Sequence, residues 1–454
     1  MRSELKRGLK ERHVELIALG GSIGVGLFLG SATGIRLAGP SMIIAYLLGG
    51  GLIFLLLRAL GEVAVAYPVA GSFSAHASVF WGPLLGYVTG WTYWFMWIIT
   101  GIAEISAVGI YMNFWLPELP QWMPALATVL FIAAVNIITV EIYGEVEFWL
   151  SLIKVVTIIA LIVLGMGLIF FGAGNGGTAV GLSNLWRHGG FFPHGFQGMA
   201  LALPMALFAY TGAEVIGLTA GEAKNPEKVL PSAINKFLWR IVLFYAGSLY
   251  VLLAICPWTE IGGVSSPFVF VLEKTGVSYA AAFMNFVVLS AAVSSFNSGI
   301  FSTGRMLHSL AKEGAAPLFL ARVNRFHSPV NAILVSSACL LLGVFLNYLI
   351  PAKIFLYITS LSTCAGLWIW GVIFFTQLKF RAGLTKREAA NLLYPMPGYP
   401  FTGLAAILFL IGIIFCLGFN EDARPALAAL PIWLILLAIS YYICYNKKSK
   451  KRRD

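Results

Sequence analysis

The chain has 454 residues, of which 59% are hydrophobic and only 11% charged, with a formal net charge of +11. So little charge excludes a soluble globular protein of this size. The basic excess does not point to nucleic acid, because it is gathered at the two ends and in a few short segments between apolar runs.

Many windows hold about 18 or more nearly uninterrupted apolar residues, enough to cross a hydrocarbon layer of roughly 30 Å. Backbone groups in lipid must be satisfied within the segment, so these runs predict helices. Twelve spans are expected: 14–36, 41–66, 84–113, 123–143, 147–171, 197–221, 233–256, 279–312, 330–350, 354–379, 402–420 and 427–446. Pro40, Pro83, Pro120, Pro124, Pro193, Pro257, Pro329 and Pro351 stand at their edges, where a missing N–H is tolerated. The first thirteen residues are basic and polar and the run after them is long, so no cleavable signal peptide is expected. No soluble domain, long linker or low-complexity segment interrupts the chain, and 1–454 reads as one integral membrane unit.

Arg2, Lys6, Arg7, Lys10 and Arg12 precede the first span, and Lys447, Lys448, Lys450, Lys451, Arg452 and Arg453 follow the last. Further basic clusters lie at Lys224 to Arg240, Arg305 to Arg325 and Lys379 to Arg387, while the intervening loops hold Arg187, Lys274, Lys353 and Arg424, one each. This alternation places both termini in the cytoplasm. The loop near His76 has no Lys or Arg, and the expected loop with Glu141, Glu145 and Glu147 is acidic; neither helps. The scattered cysteines Cys256, Cys339, Cys364, Cys416 and Cys444 suit packing rather than metal ligation.

The first span opens with IALGGSIGVGLFLGSATG, residues 17 to 34, and the sixth contains FAYTGAEVIGLTAGE, residues 208 to 222. Each glycine costs a helix about 1 kcal/mol relative to alanine, so such runs favour leaving helical geometry at mid-membrane. Glycine-interrupted helices at corresponding places in two halves point to a transporter site. A freed helix N-terminus there offers N–H donors to a carboxylate, and freed carbonyls suit an ammonium. A zwitterionic α-amino acid fits both. Close helix packing through small residues is the competing reading of the same glycines. Gly20-Gly21-Ser22-Ile23-Gly24 also matches the esterase pattern G-x-S-x-G, but the strand–turn–helix context and acid–base partners are missing. The spacing of Gly24, Gly26 and Gly30 does not match a dinucleotide loop. With six dispersed histidines, an enzyme is not expected.

Ionisable residues inside spans are functional candidates. These are Glu104 in span 3, Lys154 in span 5, and Glu214 in the glycine-rich part of span 6, with Glu222 two turns on. Lys154 has two readings: a proton carrier in a low-dielectric cavity, or a side chain whose stem snorkels to the interface. Glu222 reads more simply as a cap or salt bridge near Lys224 and Lys228. Arg58 and Glu62, at i and i+4, predict a structural or gate contact at the end of span 2. Trp91, Tyr93, Trp94, Phe95 and Trp97 are expected to face lipid or core, with room for one of them at a cavity.

GGSIGVGLFLGSA, RALGEVAV, GWTYWFMW, YGEVEFWLSLIKV, GLTAGEAKNPEKVLPSAIN and NSGIFSTGRMLHSLAKEGAAP together resemble the bacterial amino acid permeases of the amino acid–polyamine–organocation superfamily. The likeness covers nearly the whole chain and is nearest to neutral amino acid permeases, such as those for proline, serine and threonine, or alanine and glycine. It implies the leucine-transporter fold: two inverted repeats of five helices, over 14–171 and 197–379, with two peripheral helices over 402–446. It implies that Gly24, Val25 and Gly26 present N–H groups to the substrate carboxylate. Carbonyls near Ser22, Phe208, Ala209 and Thr211 would receive the amino group, with Phe208 covering the substrate. Lys154 matches the lysine that replaces a sodium ion in proton-driven members, and Glu214 matches an acidic residue linked to gating or protonation. Glu104 falls where some members carry an acid. The expectation is a proton symporter of a small or medium neutral amino acid in the plasma membrane, with no cofactor. Sodium coupling through Ser294 and Ser295, exchange without proton coupling, and a cationic substrate are the alternatives.

Overall fold

The computed structural model describes residues 21–69, 71–219, 225–261, 266–274, 278–349, 354–421 and 423–445. Among these, every regular element is helical. Among the described residues nine segments are long and apolar enough to cross a membrane, and Trp122–Ile137 and Gly195–Phe208 are shorter apolar helices. This is an integral membrane protein.

The first crossing is interrupted. Gly21 and Ser22 are helical, Ile23 and Gly24 bend out, and a π-helical turn at Gly26–Gly30 leads into α1 (Ser31–Ala38). A 3-10 turn at Gly39–Ser41 then reverses the chain into α2 (Met42–Ala66). Gly39 has φ +59°, a conformation glycine adopts without steric cost. The stretch around His76, expected as a loop, contains α3 (Ser72–Trp81), and His76 is buried with Nε2 2.8 Å from the Tyr67 carbonyl. Gly82 and Pro83 start α4 (Pro83–Met112), whose 30 residues span about 45 Å.

The next boundary differs from expectation. α5 (Trp122–Ile137) ends early, and α6 (Val140–Phe171) starts at a cap that hydrophobic periodicity does not reveal: the Thr139 hydroxyl accepts the Ile142 N–H at 3.2 Å. A threonine N-cap followed by acid in the first turn satisfies orphan donors and complements the helix dipole. The acidic residues Glu141, Glu145 and Glu147 therefore lie in a helix, not a loop, and Glu147 is carried into the interior.

α7 (Gly195–Phe208) is short, and α8 (Val215–Thr219) resumes after six non-helical residues. α9 (Pro226–Ile241) begins earlier than expected and runs through a π-helical stretch at Val242–Gly247 into α10 (Ser248–Ile255). After α11 (Pro267–Lys274) come α12 (Ser278–Lys312), α13 (Val330–Leu349) and α14 (Ile354–Ala382). A short capped helix, α15 (Lys386–Ala390), leads to α16 (Phe401–Phe419) and α17 (Arg424–Ser440).

Packing is centred on α4, which lies along α12 and α14, while α12 also packs on α6 and α13. α7 contacts α1, α2 and α14, so both interrupted helical runs sit inside this group. By contrast, α16 and α17 expose Leu404, Leu408, Ile411, Phe415, Ile432, Ile435, Leu436 and Ile439. Rows of outward apolar side chains need lipid as their solvent, which makes α16 and α17 peripheral.

Candidate functional site

The two interruptions meet. A Cβ on Gly26 would lie 2.4 Å from the Ala209 Cα, and one on Gly212 would lie 2.5 Å from the Gly21 carbonyl oxygen. The glycines therefore combine two readings that compete at the level of sequence: they let the chain leave the helix, and they bring two backbones into contact. Gly212, at φ +104°, could not hold its conformation with a side chain without strain. Pro204, inside α7, removes one ladder bond just ahead of the second break.

Each break frees backbone groups that lipid cannot satisfy, and side chains from other helices and from the second break itself take them up. At the first break, the Val25 N–H donates to Glu104 Oε2 at 3.4 Å, and Lys154 Nζ donates to the Ile23 carbonyl at 3.0 Å. The Tyr245 hydroxyl lies 2.6 Å from the Ser22 carbonyl and 3.1 Å from the Ala209 carbonyl, so its proton bridges both breaks. Ser295 Oγ is 3.5 Å from the Gly21 carbonyl, and Tyr46 OH is 3.5 Å from that of Gly26. At the second break, the Gly212 N–H donates to Glu214 Oε2 at 3.2 Å, and Trp370 Nε1 donates to the same oxygen at 3.4 Å. The rings of Tyr46, Tyr210 and Tyr245 stack against one another beside these bonds, with Tyr210 and Tyr245 centroids 4.3 Å apart.

Ser22, Gly24, Val25, Gly26, Phe208, Ala209 and Thr211 are all buried at this junction. Phe208 closes α7 with its ring edge-on to Phe355 at 6.4 Å. Thr211 Oγ1 and Glu214 Oε1 are buried with no hydrogen-bond partner among the described residues. An unsatisfied buried polar atom costs about 1–3 kcal/mol, so these two retain hydrogen-bonding capacity at the second break. Of the aromatic residues of span 3, Trp97 reaches the site, its ring edge 3.2 Å from a Cβ built on Gly212, and the buried Tyr93 beside it interacts electrostatically with Glu214. Trp91 and Trp94 instead bond the Ala315 carbonyl and the Ser336 hydroxyl, and Phe95 stacks on Trp433.

Lys154 does not snorkel. It is fully buried, and Glu147 and Glu104 both act on it electrostatically. Glu147, two turns ahead on the same face of α6, accepts Ser294 Oγ at 2.5 Å, Asn297 Nδ2 at 3.0 Å and Ser151 Oγ at 3.3 Å. Asn136 Nδ2 in turn donates to Asn297 Oδ1 at 2.8 Å. A buried ion is tolerable when its remaining hydrogen-bonding capacity is filled in this way. Ser294 is thereby directed at Glu147. Glu104, Lys154 and Glu147 form one group at the first break, whereas Glu214 belongs to the second. Glu222 lies outside the described residues.

Sequence reasoning missed Glu147 and Tyr245. Glu147 carries a signal in retrospect, since it is seven residues from Lys154 and so shares its helix face. Tyr245 has none: one tyrosine in an apolar run looks like core. The expected Arg58–Glu62 pair is also not formed. Glu62 is buried and binds Arg381 Nη1 at 2.9 Å, Gln377 Nε2 at 3.3 Å and the Met396 N–H, while Arg58 lies over the Tyr394 ring and bonds the Pro395 carbonyl and Asn235. The reason is reach: each side chain meets a better-placed partner on another segment than the one a turn away.

The sequence profile described as amino acid permease matches residues 13–454. Over 449 residues the chain is 50% identical to the uncharacterized amino acid permease YtnA of Bacillus subtilis (strain 168), covering 99% of this chain and 97% of the relative. It is 46% identical to the probable threonine/serine transporter YbxG and 44% to the amino-acid permease AapA of the same organism, each over 97% of this chain and 95% of the relative. This chain belongs to the amino acid permease family.

Proposed function

We propose that the protein imports a small or medium neutral α-amino acid across the bacterial plasma membrane by proton symport, with alternating access. Counting each broken segment as one crossing gives twelve crossings, the breaks opening two successive sets of five and α16 and α17 standing outside. This count and the breaks' positions support an inverted-repeat arrangement of the leucine-transporter type, with both termini cytoplasmic.

The observation that carries the reading is the contact between the two breaks. Between them they release from helical pairing N–H groups at Val25 and Gly212 and carbonyls at Ser22 and Ala209. These are the complements of a carboxylate and an ammonium separated by one carbon. Thr211, with its buried unsatisfied hydroxyl, lies where a substrate amino group or polar side chain would dock. Lys154 supports coupling to protons rather than sodium, because its ammonium already takes the Ile23 carbonyl and Ser294 is committed to Glu147. Glu104 is aimed at Val25 and Gly24, the carboxylate end of the site. It is thus no partner for a cationic substrate side chain, which favours neutral substrates. The relative named as a probable threonine/serine transporter agrees with that choice.

Uptake into liposomes tests it. Labelled L-threonine accumulates when an inward proton gradient is imposed, and Lys154→Ala loses that accumulation. Uptake that requires internal amino acid and ignores the gradient would identify an exchanger and refute symport. A competition panel of all twenty amino acids then fixes the side-chain preference.

A further inference from the structure

We propose that Glu104 and Tyr245 stand in for the two ends of the transported amino acid, and that Glu104 takes up a proton each time substrate displaces it. The inference rests on the preceding reading that a zwitterion binds between the breaks.

Glu104 Oε2 accepts the Val25 N–H, the same donor that a substrate carboxylate would use. Its other oxygen comes within 2.6 Å of a Cβ built on Gly24, and Ser295 Oγ comes within 2.7 Å of the same point. No second carboxylate can reach Val25 while Glu104 holds it. At the opposite end, the Tyr245 hydroxyl sits on the Ser22 and Ala209 carbonyls, the acceptors suited to an ammonium. Both ends of the site are thus satisfied internally, by groups that bond as the substrate's own would: a carboxyl oxygen on the donor side and a hydrogen-bond donor on the acceptor side. An amino acid enters by exchanging bonds with them.

The exchange at Tyr245 is neutral. At Glu104 it is not, because two carboxylates crowded at one set of donors cannot both stay ionised. Ser295 from α12, Lys154 from α6 and the Val25 N–H act on Glu104, which in turn acts on Tyr111 of α4 itself. Lys154 keeps Glu147 as its counter-ion, so it can remain charged when Glu104 is neutralised. The balance is one proton: the Glu104 carboxylate and a hydronium ion from water entering with the substrate give the carboxylic acid and water. On release, the acid returns its proton to water on the far side and recovers the Val25 N–H. This places the substrate-linked proton on Glu104 rather than on Lys154.

The test uses full-length protein in lipid nanodiscs and whichever of the twenty amino acids most raises its thermal midpoint. Calorimetric titration over about pH 5 to 9, in two buffers of different ionisation enthalpy, reads affinity and proton uptake together. Wild type takes up as much as one proton per amino acid, and its affinity falls up to about tenfold per pH unit where Glu104 is ionised. Glu104→Gln binds with no proton uptake and a flat pH profile, Glu104→Asp restores the uptake, and Tyr245→Phe binds at least as tightly as wild type. A folded Glu104→Gln variant that keeps the wild-type slope, or that no longer binds, overturns the proposal; weaker binding by Tyr245→Phe overturns its second half. Should none of the twenty shift the wild-type midpoint, the amino acid site itself has been misread. Gradient-driven uptake lost in Lys154→Ala with the slope intact in Glu104→Gln would leave symport standing and this inference refuted.

Discussion

Adding one methyl group at Gly26 is the sharpest perturbation of the paired breaks. A Cβ there would stand 2.4 Å from the Ala209 Cα and 2.9 Å from the Ala209 nitrogen. Carbon atoms rest about 3.5–4.0 Å apart, so the two backbones must separate by more than about 1 Å. Neither neighbour is a flexible side-chain tip that could swing aside. Overpacking of this kind costs about 1–3 kcal/mol, and an error of about 1 Å in positioning can cost about a hundredfold in rate. Gly26→Ala is therefore expected to lower uptake by two orders of magnitude while the protein still reaches the membrane and elutes as a single species. Gly51→Ala is the control, since its Cβ meets nothing within 4 Å in the middle of α2. That variant keeps uptake and gains up to about 1 kcal/mol from helix propensity. Initial rates in liposomes at equal protein loading, with thermal midpoints, separate the two. Near-normal transport by Gly26→Ala would refute the claim that the breaks touch during function.

Gly212→Ala meets both a positive φ and the Gly21 carbonyl at 2.5 Å, so uptake falls at least as far as in Gly26→Ala in the same assay. Glu147→Gln leaves Lys154 short of a counter-ion, and breaking a buried pair costs about 3–5 kcal/mol; its thermal midpoint drops well below that of wild type. Replacing both Lys154 and Glu147 by Met recovers much of the midpoint but no gradient-driven uptake, and strictly additive losses would refute the pairing. Glu62→Gln weakens the hold on Arg381 and the Met396 N–H. Faster amide exchange around Tyr394–Met396, measured by mass spectrometry, is the expected result, and unchanged protection would show that the segment is held by other contacts.

What the sequence disclosed depended on whether the signal was local. The breaks were legible because Gly20 to Gly26 and Gly212 to Gly221 are anomalies within otherwise uniform apolar runs. Lys154 and Glu104 stood out because charge in a span is costly. Contacts across helices were not legible. Arg58 and Glu62 read as partners one turn apart, yet Glu62 reaches Arg381 from a segment 319 positions away. The end of α5 was misplaced because Glu141, Glu145 and Glu147 look like a loop when only polarity is counted. Thr139 as N-cap turns the same acids into a helix start. Glu147 was lost with that boundary, since at the very first position of the expected span 147–171 it read as an end residue rather than as a buried partner on the Lys154 face.

The bonds around the breaks come from different helices: Glu104 from α4, Lys154 from α6, Tyr245 from the π-helical stretch after α9, Ser295 from α12 and Trp370 from α14. An unbroken helix would satisfy the same backbone groups by itself and would be indifferent to its neighbours. Here a helix that tilts or slides must exchange bonds with the breaks, each worth about 1 kcal/mol net, or about 1.5–3 kcal/mol where a charge takes part. Bonds of that size are matched by what a single zwitterion can form in return. Substrate can then replace one set of contacts with another of nearly equal strength, which is the condition for a ligand to shift a conformational balance without being trapped by it. Fixed ion pairs in place of Tyr245 or Ser295 would hold the breaks more tightly, and an amino acid could no longer compete for them.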